Sequence, residues 1–284
     1  MRNLSDINVI KSVMGKHGVT FNKGLGQNFL VDPEVCPAMA EAAGLDENTC
    51  AIEIGPGVGV LTAELAKRAG KVLSFEVDNR LLPVLAETLS DFNNVEIINE
   101  DVMKADLPKI IEEKCKGMKI CVVANLPYYI TSPIIMLLLE SKLPINNITV
   151  MVQKEAADRL CADVGSRDGG AVTVAVSYYA ESEKLFFVPR DSFLPPPKVN
   201  SEVIQLTVRK EPPVKVENEE FFFKLVKAAF SQRRKTAENS ISAGLGINKN
   251  IVAEALENAG LERTVRAEKL TMEDFANLEK LLNK

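Results

Sequence analysis

The chain has 284 residues, of which 46% are hydrophobic and 26% are charged. This length suits one large or two modest domains, and the composition is that of a packed globular protein rather than a disordered or fibrous one. No run of about 18 apolar residues occurs, and the N-terminus lacks the apolar core of a signal peptide. We therefore expect a cytoplasmic protein with no membrane partner.

The net charge of −5 excludes a uniformly basic nucleic-acid binder. The charge is unevenly distributed, because residues 1–31 and 212–284 are relatively basic and the acidic excess lies between them. A phosphate-binding surface would therefore draw on the two ends of the chain.

The five cysteines are scattered without a Cys-x-x-Cys pair, and His17 is the single histidine. This pattern excludes a histidine-rich metal centre and makes a zinc site unexpected. We predict reduced thiols, no bound metal, and a surface position for His17 in a loop.

Between Cys50 and Val152, short apolar runs alternate with segments of helical periodicity. The predicted strands are Ala51–Ile54, Lys71–Glu76, Val95–Ile98, Ile120–Ala124 and Ile148–Val152. The predicted helices between them include Val60–Ala69, Leu81–Leu89 and Pro133–Glu140. Strands that alternate with helices predict a parallel, doubly wound α/β sheet.

The pattern then changes to strands without full helices between them, at Ala171–Tyr179, Lys184–Val188 and Val203–Val208. Antiparallel pairing at one edge of the sheet is the simplest arrangement for such segments. The pair Pro212 and Pro213 marks a break after them.

Beyond this break every segment has a helical pattern: Glu219–Phe230, Arg234–Ile241, Lys249–Ala259 and Thr271–Leu282. Gly260 is predicted to end the third of these helices. We therefore predict two domains, an α/β domain over residues 1–211 that starts with an arm at residues 1–31, and a small all-α domain over residues 212–284.

A glycine-rich segment, with Gly55, Gly57 and Gly59, joins the first predicted strand to the first predicted helix. Doubly wound folds bind ligands at this turn. The spacing does not match a dinucleotide fingerprint, because Thr62 or Val60 stands where the third glycine is needed, and no Walker A lysine follows. A nicotinamide dehydrogenase is therefore disfavoured, and a plain tight turn remains the alternative to a nucleotide loop.

Two acidic residues follow neighbouring strands beside this loop. Glu76 ends the second strand, where a carboxylate can accept both ribose hydroxyls of an adenosine-containing ligand. Asp101 lies just past the third strand, within reach of an adenine amino group. Each alone would pass as a solvated loop charge, but the two together indicate a nucleoside site.

The tetrapeptide Asn125-Leu126-Pro127-Tyr128 directly follows the buried fourth strand. An exocyclic aromatic amine is a poor nucleophile, because its lone pair is delocalised into the ring. The Asn125 side-chain oxygen and the Leu126 carbonyl can accept the two amine hydrogens and draw the nitrogen towards tetrahedral geometry. Pro127 stiffens the turn, and Tyr128 offers a face on which a flipped-out base can stack. The alternative is an ordinary turn with a tyrosine at its rim.

These motifs together resemble the ribosomal RNA adenine N6-dimethyltransferases, and in particular the small-subunit enzymes whose loss gives kasugamycin resistance. The resemblance runs from about residue 20 to the end of the chain. Residues 1–19 match no motif. The matching segments are Gly26–Leu30, Glu53–Gly59, Glu76, Asp101, Asn125–Tyr128, Ser192–Val199, Phe230–Thr236 and Arg266–Glu268.

The resemblance implies an S-adenosylmethionine-dependent enzyme with a class I methyltransferase fold. In that family pattern, Asn28 and Leu30 close over the methyl donor, Glu76 takes its ribose and Asp101 its adenine amine, and Asn125 touches donor and target. The full set matched to donor binding is Asn28, Leu30, Gly55, Gly57, Gly59, Glu76, Asp101 and Asn125.

The substrate implied by the resemblance is a pair of adjacent adenosines in the 3′-terminal hairpin loop of 16S rRNA, within the 30S subunit or its precursor. Each adenosine receives two methyl groups, which places the enzyme in ribosome biogenesis, and we expect a monomer. Phe193 would form a stacking wall opposite Tyr128, although it would also suit the anchor of a proline-rich loop. Asn125, Leu126, Pro127, Tyr128 and Phe193 are therefore the predicted catalytic set.

The run Arg233-Arg234-Lys235 is predicted to contact rRNA phosphates from the start of a helix. A solvated helix face is the alternative for such a triplet.

Three other classes remain alternatives. A macrolide-resistance methyltransferase shares the core but acts on one adenosine of 23S rRNA, and the Ser192–Val199 and Phe230–Thr236 segments favour the small-subunit enzyme. A DNA adenine methyltransferase fits the Gly26–Leu30 segment and the helical tail less well. An RNA-binding assembly factor without activity would not need the Asn125–Tyr128 and Gly55–Gly59 motifs.

Overall fold

The structure is a computed structural model that describes residues 4–20 and 28–283. Gly26 and Gln27 of the N-terminal motif lie outside the described residues, as does Lys23, one of the basic residues of the N-terminal arm. The strands are β1 Phe29–Leu30, β2 Thr49–Ile54, β3 Lys71–Phe75, β4 Val95–Ile98, β5 Lys119–Asn125, β6 Ile145–Gln153, β7 Ala180–Val188, β8 Phe193–Leu194 and β9 Ser201–Val208.

Helices separate most of these strands, and four more follow them. They are α1 Ile7–Lys16, α2 Val35–Ala42, α3 Val60–Ala66, α4 Leu82–Thr88, α5 Leu107–Lys114, α6 Thr131–Glu140, α7 Lys154–Leu160, α8 Ala171–Tyr179, α9 Glu219–Phe230, α10 Ala237–Leu245, α11 Lys249–Asn258 and α12 Met272–Leu282. Within the parts of the chain that the structure describes, no helix is long and apolar enough to cross a bilayer.

The chain forms two compact units, the first comprising Met1–Ala157 with Glu183–Val208, and the second Asp158–Ser182 with Arg209–Lys284. The division differs from the one predicted from the sequence at residues 158–182, which belong with the helical unit. The break near Pro212 lies four residues from the observed boundary at Val208.

A seven-stranded sheet with the order β4-β3-β2-β5-β6-β9-β7 forms the centre of the first unit. The pairs β4–β3, β3–β2, β2–β5 and β5–β6 are parallel, and β6–β9 is antiparallel. Every residue of β2 is buried, as expected for a strand covered on both faces. The predicted doubly wound sheet with an antiparallel edge is therefore confirmed.

The prediction of a strand over Ala171–Tyr179 is wrong, because this segment is helix α8. Its valines, threonine and tyrosines favour a strand by propensity. The helix starts where the Gly170 N–H donates to Thr173 Oγ1 at 2.9 Å, and Val174 and Tyr178 then reach the same apolar cluster as Phe222. A helix buried on most sides shows no polar face, so its periodicity is hidden in the sequence.

The helical unit otherwise follows its predicted elements closely. Glu219–Phe230 is a helix over the predicted range, and the Gly260 N–H donates to the Glu257 carbonyl at 2.9 Å just beyond α11. Helix α10 begins at Ala237 rather than Arg234, because the Thr236 hydroxyl caps it by accepting from the Asn239 N–H. Residues 233–235 consequently lie in the turn before the helix.

Helix α1 was not among the elements predicted from the sequence. Two backbone hydrogen bonds close its C-terminal end. The Val19 N–H donates to the Met14 carbonyl at 2.9 Å, and the Gly18 N–H donates to the Gly15 carbonyl at 3.1 Å. His17 is at the end of this helix, with its side chain only 22% exposed and its Nε2 2.9 Å from Glu87 Oε2. His17 thus lies at the surface in the turn that follows the helix, as predicted, and it contacts Glu87 there.

Candidate active site

A cavity of about 370 Å³ opens in the first unit where β2, β3 and β5 reach their carboxyl ends. Such a crevice at the strand ends of an open α/β sheet is where these folds bind ligands. The residues predicted from the sequence that line it are Asn28, Leu30, Gly55, Gly57, Glu76, Asp101, Asn125, Leu126, Pro127, Tyr128 and Phe193. The cavity therefore gathers both the predicted donor residues and the predicted catalytic residues.

Gly59 is the predicted donor residue that does not line the cavity. It precedes α3 with φ +91°, a conformation that glycine adopts readily, and a Cβ there would lie 3.1 Å from the Leu89 side chain. Gly57 lines the cavity, and a Cβ on it would lie 3.1 Å from the ring of Phe29. Gly59 therefore serves the helix start, whereas Gly57 lets the backbone approach the cavity.

Glu76 follows β3 and its carboxylate is buried in the cavity wall, with only 5% of the residue exposed. Its Oε1 accepts the Asp78 N–H at 2.7 Å. Burial raises the pKa of the Glu76 carboxyl, and backbone amides that donate to it, including that of Gly57, oppose this effect. A buried carboxylate held by backbone amides suits the recognition of two ribose hydroxyls.

Asp101 lies just beyond β4 at the same end of the sheet. Its Oδ1 accepts the Met103 N–H at 3.0 Å, and its carbonyl accepts the Lys104 N–H at 2.8 Å. These bonds fix a tight turn that holds the half-buried carboxylate at the cavity. The position matches the one predicted for a partner of an adenine amine.

Asn125 ends β5, and the chain turns there over the cavity. The Leu126 N–H donates to the Met151 carbonyl at 3.2 Å, which continues the sheet register by one residue. The Pro127 carbonyl then accepts the Ile130 N–H at 3.1 Å and closes a single 3₁₀ turn over Tyr128–Ile130. The tetrapeptide is thus anchored at both ends by backbone hydrogen bonds.

Tyr128 is fixed through its hydroxyl, which lies 2.5 Å from Ser201 Oγ at the start of β9. Burial raises the pKa of this phenol. Ser201 itself is fully buried. Ser201 could not be identified from the sequence, because nothing in one sequence pairs two positions so far apart along the chain.

The N-terminal and proline-rich motifs pair with each other in a two-stranded ribbon. Strands β1 and β8 are antiparallel, with Leu30 opposite Phe193 and Phe29 opposite Leu194. Phe193 is only 3% exposed, so its ring is a buried part of the cavity wall. The ribbon therefore brings Asn28 and Leu30 to the cavity from a separate part of the chain.

A second buried carboxyl, that of Glu53, lies one strand away from Glu76. Its Oε2 accepts the Thr62 hydroxyl at 2.7 Å and the hydroxyl of Ser74, and all three residues are buried. Burial raises the pKa of Glu53 to about 7. Glu53 could have been identified as a site residue from its place in the Glu53–Gly59 motif, but nothing in the sequence indicates its two hydroxyl partners.

The basic run at residues 233–235 belongs to the second unit. All three side chains are exposed, and within the described residues none of them is within 4.0 Å of a carboxylate. By contrast, the nearby Arg263 is bound to the buried Glu238 at 3.2 Å. Arg233, Arg234 and Lys235 are therefore accessible to an anionic partner.

The mostly parallel sheet and the glycine-rich turn after its first long strand are those of a class I S-adenosylmethionine-dependent methyltransferase. A family model described as ribosomal RNA adenine dimethylase matches residues 18–284. The chain belongs to this family, and it is an enzyme that methylates adenine in ribosomal RNA with S-adenosylmethionine as donor. The family, fold class and cofactor predicted from the motifs are thereby confirmed.

Individual relatives agree with this assignment. Ribosomal RNA small subunit methyltransferase A of Geobacillus thermodenitrificans is 50% identical over 276 residues, which cover 96% of this chain and 94% of the relative. A dimethyladenosine transferase from Plasmodium falciparum has a TM-score of 0.76 at 26% identity, covering 90% of this chain and 97% of that one. The 23S rRNA methyltransferase ErmE has a TM-score of 0.68 at 31% identity, covering 90% of this chain and 100% of that one.

Proposed function

We propose that the protein dimethylates two adjacent adenosines in the 3′-terminal hairpin loop of 16S rRNA, in the 30S subunit or its precursor. The supporting observation is that the nucleoside-type carboxylates and the Asn125–Tyr128 turn line one cavity. The relative of 50% identity that is named for the small subunit favours this substrate over 23S rRNA. The proposal includes action as a monomer in the cytoplasm, where ribosome assembly supplies the RNA.

The cavity suits S-adenosylmethionine, which when bound supplies an electrophilic methyl group. In this proposal the buried Glu76 carboxylate accepts the two ribose hydroxyls, and Asp101 accepts the adenine amine. Asn28 and Leu30 cover the donor from the β1–β8 ribbon, and Gly57 allows close backbone approach. Gly55, in the same loop, also lines the cavity and would lie beside the donor.

The target amine is activated by acceptors on the turn after β5. The Asn125 side-chain oxygen and the Leu126 carbonyl accept its two hydrogens, so that its lone pair leaves conjugation with the ring. Bound S-adenosylmethionine would supply the methyl group to this nitrogen, and the proton that the methylated amine carries would pass to solvent. Tyr128, fixed by Ser201, holds the flipped-out base by stacking, and Phe193 closes the wall behind it.

Docking on the ribosome is assigned to the helical domain over residues 212–284. The exposed side chains of Arg233, Arg234 and Lys235 contact rRNA phosphates. Because the protein is acidic overall, this local cluster rather than the net charge supplies the attraction.

The deciding experiment is methyl transfer from labelled donor to undermethylated 30S subunits, with 50S subunits lacking their own adenine methylation as the comparison. Label in two adjacent adenosines near the 3′ end of 16S rRNA supports the proposal. Label in a single 23S adenosine would replace it with the macrolide-resistance activity. Expression in cells separates the same two alternatives. Restored kasugamycin sensitivity would support the 16S rRNA activity, and erythromycin resistance would support the macrolide-resistance activity.

A further inference from the structure

Tyr129, the residue after the Asn125–Tyr128 turn, is a large aromatic side chain at the mouth of the cavity. It lines the cavity and is nevertheless 60% exposed. Among the residues that the structure describes, its ring makes no aromatic contact and its hydroxyl has no hydrogen-bond partner. Packing within the protein therefore does not account for a tyrosine at this position.

The two adjacent tyrosines have different surroundings. Tyr128 is held by Ser201 through its hydroxyl, whereas Tyr129 follows it in the 3₁₀ turn that ends at Ile130. Successive side chains in a 3₁₀ helix point about 120° apart. The first ring therefore forms part of the inner wall, and the second lies at the rim on the solvent side.

The other exposed apolar side chains at this rim are aliphatic and lie on the donor side. Val77 follows Glu76 and is 51% exposed, and Met103 follows Asp101 and is 39% exposed. Tyr129 instead belongs to the turn that carries Asn125, where the target amine is activated. The aromatic surface at the rim thus adjoins the turn to which the proposed function assigns the target adenine.

We propose that Tyr129 is a stacking platform for the nucleobase adjacent to the target adenine. This inference rests on the proposed function, in which two adjacent adenosines are modified in turn. When one base is flipped into the cavity, its neighbour loses a stacking partner at the cavity mouth. An exposed aromatic ring replaces that partner at little entropic cost, because a tyrosine has few rotatable bonds.

The experiment compares Tyr129→Ala and Tyr129→Phe with the wild type on two substrates. One is the undermethylated 30S subunit with both adenosines, and the other is a reconstituted 30S subunit in which one of the pair is abasic. The control is Phe187→Ala, which removes an aromatic side chain that is 50% exposed and does not line the cavity. Donor affinity and melting temperature are measured for each variant, to establish that the turn is intact.

On the natural substrate, Tyr129→Ala should raise KM about tenfold with kcat nearly unchanged, since stacking on an exposed ring contributes mainly to binding. Tyr129→Phe and Phe187→Ala should behave as wild type. On the abasic substrate, Tyr129→Ala and the wild type should have the same KM, because the base that stacks is absent.

Two results would overturn the proposal: an unchanged KM for Tyr129→Ala on the natural substrate, or an equal rise on both substrates, which would indicate a disturbed Tyr128 turn. Failure of the proposed function is a separate outcome, because the wild-type enzyme would then label neither 30S substrate.

Discussion

Leu30 and Phe193 are directly opposite each other in the β1–β8 ribbon, although 163 positions separate them in the chain. Two hydrogen bonds of 2.9 Å stabilise the same region. The Val31 N–H donates to the Ser192 carbonyl, and the Ser192 hydroxyl donates to Asp32 Oδ2. The ribbon therefore couples the residue proposed to cover the donor to the residue proposed to close the wall of the target site. A change in the ribbon is expected to affect both.

Ser192→Ala tests this coupling. The substitution removes a nearly buried hydrogen bond to Asp32, so we expect a loss of about 1 kcal/mol in the free energy of unfolding and weaker donor binding. Ser90→Ala is the matched control, because Ser90 is exposed and its hydroxyl donates only to a helix carbonyl. Urea unfolding and donor calorimetry measure the two effects. Donor affinity unchanged in a destabilised Ser192→Ala variant would show that the ribbon does not position the donor residues.

Glu76→Ala should weaken donor binding by about 100-fold or more, because two ribose hydroxyls lose a charged acceptor worth roughly 1.5–3 kcal/mol per bond. Glu76→Gln, which retains one acceptor oxygen, should have an intermediate affinity. Glu112→Ala removes an exposed carboxylate away from the cavity and should have no effect. Calorimetry with the donor provides the measurement, and wild-type affinity in a folded Glu76→Ala protein would remove Glu76 from the donor site.

Asn125→Ala should lower methyl transfer by about 100- to 1,000-fold, the usual cost of losing a donor or acceptor that acts mainly in the transition state. Affinity for 30S subunits should stay within about twofold, because few RNA contacts are lost in the ground state. Single-turnover rates and filter binding separate the two quantities. Wild-type turnover in the variant would exclude Asn125 from activating the target amine.

The strand-end positions of the site could be predicted from sequence because they depend on local order. Short apolar runs identify β2, β3 and β5, and parallel strands bring whatever follows them, such as Glu76 and Asn125, to one edge. The Tyr128–Ser201 bond and the Leu30–Phe193 pairing could not be predicted, because they depend on register between distant segments. Propensity likewise failed where burial overrides it, as in helix α8.

Glu53 should make stability depend on pH near neutrality. Its pKa is about 7 in the folded protein and ordinarily 4.5, so the folded state binds the proton more tightly. This contribution to stability is fully present below about pH 4.5 and is lost as the pH rises through 7, with a maximum of about 3 kcal/mol. Glu53→Gln, which carries no charge, should flatten that part of the profile. Urea unfolding at constant ionic strength across this range tests it, and parallel profiles for the two proteins would contradict the assignment.

Replacement of Arg233, Arg234 and Lys235 by Ala should weaken binding to 30S subunits and reduce its salt dependence. Each lost phosphate contact removes about 0.7 to 0.9 from the slope of log K against log salt concentration, so three contacts remove about 2 to 3. Donor affinity should be unchanged, because the residues that line the donor cavity all lie in the first unit. The control variant replaces Lys109 and Lys116, two exposed lysines of the first unit, by Ala.

The slope of log K against log salt concentration distinguishes phosphate contact by these three side chains from a solvated turn more sharply than affinity does. Misfolding of the helical unit would lower affinity for 30S subunits without a defined change in the salt slope. It would also lower the unfolding midpoint, because Thr236, which caps α10, directly follows the substituted run. A folded triple variant with a wild-type slope would mean that these side chains do not face phosphate. The N-terminal lysines Lys11, Lys16 and Lys23 would then be the next candidates. Lys16 is already bound to Glu87 at 2.6 Å and would have to leave that carboxylate to reach RNA.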